Sequence, residues 1–166
     1  MSFFKDIFSR QDRTEEIVIT APVAGDMMDI TEVSDETFAA KILGDGIAVI
    51  PKDGHICAPC DGKIETIAET GHAFSITGPG GAEVLVHVGI DTVKMKGEGF
   101  TVLHKDGENV RQGEELISVD LDAVKTAGYD PVTILIVLNG DGFGGLTKAG
   151  GFVNTGDEVI RLIKNK

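Results

Sequence analysis

The sequence predicts an all-β protein, a sandwich or barrel of antiparallel strands with one or two very short helices. Three observations predict it. Short segments rich in Val, Ile and Thr recur along the chain and are cut at close intervals by Gly, Pro and Asp. Twenty-two glycines in 166 residues supply many tight turns. Two strand–turn–strand stretches are echoed: Ile19–Gly25 (ITAPVAG) resembles Ile56–Gly62 (ICAPCDG), and Val110–Ile117 (VRQGEELI) resembles Val153–Ile160 (VNTGDEVI). Such repetition suits a sandwich or barrel with internal pseudo-symmetry.

Taken in order, residues 1–16 form a separate N-terminal segment, flexible or amphipathic. Phe3, Phe4, Ile7 and Phe8 fall at helical spacing between polar residues. That pattern fits a weak membrane or partner contact through residues 1–10. It fits a frayed tail equally, since so short a helix rarely holds unaided. Strands are then expected at Glu16–Ile19, Gly25–Asp29, Ala48–Pro51, Gly54–Ile56, Gly62–Ile67, Ala73–Ile76, Glu83–His87, Phe100–Val102, Glu115–Asp120, Val132–Val137 and Glu158–Lys164. One helix is expected at Leu121–Thr126, capped by Asp120 and ended by Gly128. A further helical turn is expected near Asp35–Phe38.

An apolar fraction of 42% marks a folded globular chain. No apolar run reaches the ~20 residues that span a bilayer, and the N-terminus has no secretory pattern, so a cytoplasmic protein is expected. The net charge of −12 argues against nucleic-acid binding, which needs Lys and Arg at phosphates. It favours a basic protein partner. Cys57-Ala-Pro-Cys60 has redox spacing, but Asp61-Gly62 reads as a turn where a redox helix would begin, so two reduced structural thiols are expected.

The chemistry concentrates at His72 and His87. They flank a hairpin, and a turn centred between Pro79 and Gly80 sets His72 opposite His87, Phe74 opposite Leu85 and Ile76 opposite Glu83. From Glu83 the chain alternates: Val84, Val86, Val88 and Ile90 face the core, while Leu85, His87, Gly89 and Asp91 face out. Gly89 leaves room beside the imidazole, or marks a bend. His55 and His104 lie beside turn signals and are expected to be exposed.

These stretches resemble a known family. Gly44-Asp-Gly-Ile-Ala-Val-Ile-Pro51, Ala58-Pro-Cys-Asp-Gly-Lys-Ile64, Thr70-Gly-His-Ala-Phe-Ser-Ile76 and Val84-Leu-Val-His-Val-Gly-Ile-Asp-Thr-Val93 are similar to the glucose-type IIA protein or domain of the bacterial phosphoenolpyruvate-dependent sugar phosphotransferase system (the EIIA type-1 domain). Lys96-Gly-Glu-Gly-Phe100 and the Val110 stretch continue the likeness, which spans about residues 17–164 within a domain of residues 17–166. The resemblance implies an antiparallel β-sandwich with Greek-key or jelly-roll character. It implies a phosphocarrier, with His87 taking a phosphoryl group from phospho-HPr and passing it to a cysteine of an EIIB domain of a sugar permease. His72 would stabilise the phosphate, and Thr70 would orient His72. Asp35, Phe38, Ile42, Leu85, Asp91 and Val93 would form the partner-docking face. A regulatory role toward transporters or metabolic enzymes is a further property of the family. No cofactor or metal is expected. Cys57 and Cys60 depart from the family pattern, and no role transfers to them.

Residue chemistry agrees with the resemblance. Neutral imidazole is a nucleophile near pH 7, and no Lys or Arg stands beside the pair in sequence to trap a phosphate that must move on. Two other readings compete. The histidines would hold zinc if Asp91 supplied a third ligand. Lys94-Met95-Lys96 invites a biotinyl- or lipoyl-type carrier, although such a carrier needs one lysine at a hairpin tip.

Overall fold

A computed structural model describes residues 15–164. All but the last two residues of the 1–16 segment therefore lie outside the described region. Fourteen strands occur among the described residues. They are β1 (Glu16–Thr20), β2 (Gly25–Asp29), β3 (Asp45–Pro51), β4 (His55–Cys57), β5 (Gly62–Ile67), β6 (Ala73–Thr77) and β7 (Glu83–Val88), followed by β8 (Phe100–Val102), β9 (Asn109–Val110), β10 (Glu115–Val119), β11 (Thr133–Val137), β12 (Phe143–Lys148), β13 (Phe152–Val153) and β14 (Glu158–Lys164). Two α-helices are present, α1 (Glu36–Ala39) and α2 (Leu121–Thr126). Asp35 caps α1 by accepting from Thr37 and Phe38 N–H, and Asp120 caps α2 by accepting from Ala123 N–H.

All pairings are antiparallel, and the chain is a β-sandwich. An eight-stranded sheet runs β13-β2-β3-β11-β7-β6-β5-β9, and two three-stranded sheets run β1-β14-β12 and β4-β10-β8. The long return that inserts β11 between β3 and β7 gives the Greek-key character. The main core lies between the layers. Ile19, Ile160 and Leu162 come from one small sheet, Ile56, Leu116 and Ile117 from the other, and Ile64, Phe74, Val84, Val86 and Leu135 from the large one.

The echoed segments occupy equivalent places. Thr20 N–H donates to the Pro59 carbonyl (2.8 Å) as its counterpart Cys57 donates to Pro22 (2.7 Å). Ala21 exchanges hydrogen bonds with Gly156 and Asp157 as Ala58 does with Gly113 and Glu114. The two ends of the large sheet match as well, Val153 pairing with Gly25 and Val110 with Gly62.

The centre of the large sheet is buried on both faces. β11 alternates between the main core (Leu135, Val137) and a second, outer cluster (Ile134, Ile136). That outer cluster also holds Ile30, Val33, Phe38, Ala48, Ile90 and Val132, and its cover is a 3₁₀ turn at Ile30–Glu32 plus α1. Three strands differ from the sequence expectation. β12 carries two glycines in Phe143-Gly-Gly-Leu146, which hides its pattern, and β9 and β13 are two residues each.

Candidate active site

β7 delivers His87 to the outer face. Val84, Val86 and Val88 are fully buried in the main core, and Leu85 and His87 project the other way, half-buried at the margin of the outer cluster. The alternation stops at Gly89, whose φ of +82° turns the chain, so Ile90 joins the outer cluster and not the valine face. That corrects the expected placement of Ile90.

The hairpin register also differs by one residue from the expected one. Ala73 faces His87, Phe74 faces Val86, Ser75 faces Leu85 and Ile76 faces Val84. The cause is the turn. It has three residues at its tip, Pro79–Gly81, with Gly80 and Gly81 both at positive φ, so the hairpin is centred on Gly80. A one-residue slip in a regular strand would send His72 to the inner face. The strand, however, begins only at Ala73. His72 sits in a bend after Gly71 (φ +74°), its carbonyl still accepting from Val88 N–H (2.7 Å). Freed from the pleat, its ring turns onto His87. The two ring centroids lie 5.5 Å apart, edge to face at 73°.

Each ring is oriented through Nδ1. His87 Nδ1 lies 2.8 Å from the Gly89 carbonyl oxygen. A carbonyl only accepts, so neutral His87 carries its proton on Nδ1 and keeps the Nε2 lone pair free. His72 Nδ1 lies 2.6 Å from Thr70 Oγ1, in the turn between β5 and β6. Burial pushes the pKa of both histidines below the ordinary 6.5. At His87 burial is the largest effect and His72 adds to it, against the Gly89 carbonyl and the carboxylates of Asp35 and Asp91. Both rings are therefore neutral at pH 7.

The Phe38 ring closes one side of His87, with centroids 5.0 Å apart at 55°. Phe38 is only 6% exposed, so it stands as a wall behind the imidazole. Ile42 (70% exposed) and Val93 (50%) present apolar surface outward. Leu85 packs against the outer cluster. Asp35 is occupied as the helix cap, and Asp91 is exposed in a left-handed conformation (φ +59°). Sequence reading assigned Gly89 space beside the imidazole or a bend and missed what its carbonyl does. The signal was the H-x-G spacing, which lets a carbonyl two residues on turn back to Nδ1.

The remaining candidates resolve simply. Among the described residues no group of three His, Cys, Asp or Glu is arranged to hold a metal ion, so the two-histidine zinc reading lacks its third ligand. Cys57 and Cys60 are free and buried, and burial pushes their thiols up to about 11 and about 12, far from thiolate. His55 is exposed, 2.7 Å from Glu115. His104 is not exposed as expected: it is half-buried between Glu108 (3.3 Å) and Glu114 (3.1 Å). No helix among the described residues is long and apolar enough to cross a membrane.

Comparison with known proteins places this geometry. The family described as phosphoenolpyruvate-dependent sugar phosphotransferase system, EIIA 1, matches residues 17–143. The "PTS system glucose-specific EIIA component" of Buchnera aphidicola is 42% identical over 160 residues, 96% of this chain and 97% of that protein. That of Halalkalibacterium halodurans is 47% identical over 127 residues, 76% of this chain and 73% of its own. The "PTS system beta-glucoside-specific EIIBCA component" of Bacillus subtilis is 43% identical over 124 residues, 75% of this chain but 20% of that longer protein. Among solved structures, the glucose permease IIA of Mycoplasma capricolum superposes with a TM-score of 0.80 at 32% identity, covering 97% of this chain and 99% of that one. With its sandwich and most of its length matched in this way, the chain belongs to the EIIA 1 family of the phosphoenolpyruvate-dependent sugar phosphotransferase system and is a phosphocarrier in sugar phosphotransfer.

Proposed function

We propose that His87 carries the phosphoryl group, taking it from the phosphohistidine of HPr and giving it to a cysteine of a sugar permease's EIIB domain. The observation that supports this best is the Gly89 carbonyl on Nδ1, which leaves Nε2 as the nucleophile beside the His72 ring. In the forward step the Nε2 lone pair forms a new N–P bond while the donor's N–P bond breaks, its electron pair returning to the donor ring. His87 gains positive character, which the Gly89 carbonyl dipole stabilises through Nδ1–H. In the onward step a thiolate of the acceptor forms an S–P bond, and the His87 N–P electrons return to Nε2.

His72 stabilises the phosphate. With Thr70 donating its hydroxyl proton to His72 Nδ1, the His72 proton lies on Nε2 and is available to a phosphoryl oxygen. Phe38 and Leu85 keep water from one side of the N–P bond. Ile42 and Val93 supply apolar docking surface, and Asp35 and Asp91 supply negative charge for basic partners. The EIIBCA composition of the Bacillus relative supports an EIIB acceptor, and the names of the glucose-specific relatives support a glucose-type permease. The setting is the cytoplasm. The phosphocarrier domain spans residues 17–166, with residues 1–16 outside it.

Incubation with phosphoenolpyruvate, enzyme I and HPr tests the assignment. It should add one acid-labile phosphate, and His87→Ala should abolish labelling. His72→Gln should accept phosphate yet pass it on poorly. Labelled His87→Ala protein would overturn the proposal.

A further inference from the structure

Thr92 is 1% exposed and touches neither ring by any hydrogen bond, yet it holds the peptide that precedes the one whose carbonyl orients His87. Its hydroxyl donates to the Val88 carbonyl at 2.5 Å, the last carbonyl of β7 before the turn. Its side chain also packs against Gly89: a Cβ built there would collide with Thr92 Cγ2 and come 3.0 Å from the Asp130 carbonyl oxygen and 3.1 Å from Thr92 Oγ1. The turn is pinned from across the sheet as well, by Gly89 N–H to the Val132 carbonyl (2.8 Å) and Ile90 N–H to the Asp130 carbonyl (2.9 Å). Those two bonds fix the amides of the turn. The Val88 carbonyl shares a planar peptide with the Gly89 N–H, so Thr92 and Val132 hold that peptide from its two edges.

Gly89 stands at φ +82°, where its backbone has wide freedom. Its carbonyl must nevertheless point back at His87 Nδ1 to keep the proton there. The Thr92 hydroxyl on the preceding carbonyl, together with the two cross-sheet bonds, removes that freedom. We propose that Thr92 is a positioning residue for phosphoryl transfer: through the Val88–Gly89 peptide it aims the Gly89 carbonyl at Nδ1 and so fixes the His87 tautomer with Nε2 free. The proposal rests on His87 being the phosphoryl acceptor and adds to it the device that sets its tautomer. It distinguishes Thr92, which is buried, from its neighbours Asp91 and Val93, which are exposed.

The test uses the full chain with Thr92→Val, which keeps the shape and removes the donor, and Thr92→Ser, which keeps the donor. The first readout needs no partner protein. Long-range ¹H–¹⁵N correlation spectra of the unphosphorylated chain report where the His87 proton lies. The native chain and Thr92→Ser should show it on Nδ1 alone, and Thr92→Val should show a mixture of tautomers. The second readout is transfer from phospho-HPr. Thr92→Val should slow it roughly tenfold to a hundredfold, the scale of a misplaced reacting group, with the apparent KM for phospho-HPr unchanged. Thr92→Ser should restore it. If Thr92→Val does not fold, Thr92→Cys, whose S–H is a weak donor, should show the same two changes to a smaller degree. A folded Val or Cys variant with native tautomer and native rate would overturn the inference, as would a loss that Ser does not restore. Labelling of His87→Ala would instead overturn the acceptor assignment, which the tautomer readout does not touch.

Discussion

The large sheet has an apolar cluster on each side, and the two are finished differently. On the inner side Phe74, Ile76, Val84, Val86 and Leu135 meet two further sheets and are sealed from water. On the outer side Ile134, Ile136 and Ala48 are roofed by one 3₁₀ turn and a four-residue helix that contributes Phe38. The inner cluster is closed on all sides and has no room for chemistry. The outer one is small enough to have a rim, and His87 occupies that rim with Phe38 behind it. An imidazole there is dry enough to stay neutral and open enough to meet another protein. The same strand, β7, serves both, with valines inward and Leu85 and His87 outward.

The sharpest way to break this comparison is to delete one phenylalanine from each side. Phe74→Ala should destabilise the fold by about 3–5 kcal/mol, the usual cost of emptying a closed core, and Phe38→Ala by about 2 kcal/mol, because an open rim can relax. Urea unfolding measures both. The activities should run the opposite way: folded Phe74→Ala accepts phosphate from phospho-HPr at the native rate, and Phe38→Ala does so more slowly. Equal stability losses would mean that the outer cluster is as closed as the inner.

The second test is pH. His72 and His87 have folded pKa values below 6.5, so above that pH they are neutral in both states and add no slope. As pH falls through 6.5 the unfolded chain takes up protons that the folded one resists, and stability is lost until the lowered folded values are passed. His55, whose pKa Glu115 raises, acts in the opposite sense from an exposed position. Unfolding midpoints between pH 5 and 8 should therefore fall on the acid side, and His87→Gln should flatten part of that fall. An unchanged slope in the variant would remove burial as the reason the imidazole is neutral.

The smallest expected effect on stability is at Ile42, 70% exposed and proposed above as docking surface. Ile42→Ser should change stability by no more than about 0.5 kcal/mol, while raising the KM for phospho-HPr. A large stability loss would place Ile42 in the outer cluster and not on the contact surface.

Much of this was legible before any coordinates. The alternation Val84–Val86–Val88 set His87 on the outer face, Asp120 announced its cap, and the echoed segments announced a paired architecture; a helical turn was expected at Asp35–Phe38, but the capping role of Asp35 was not. The register was not legible, because Gly78-Pro-Gly-Gly-Ala82 permits either a two- or a three-residue tip, and only the φ values of Gly80 and Gly81 decide. The rings meet all the same, because His72 lies outside the strand whose register was misjudged. The Gly89 carbonyl and Thr92 were illegible for a different reason: a carbonyl has no letter in the sequence, and a buried threonine in a strand-rich chain looks like any other. His104 was misread because its glutamate neighbours arrive from Glu108 and Glu114 only once the loop has folded.

Strands β1 and β14 lie side by side, Glu16 opposite Ile163. The polypeptide thus enters and leaves through one doorway, in a sheet that contributes nothing to the histidine pair. A unit with adjacent ends can be spliced into a longer polypeptide, or run free, without reshaping its working surface. The Bacillus EIIBCA protein, in which a matching stretch makes up a fifth of the length, has the organisation that such portability allows.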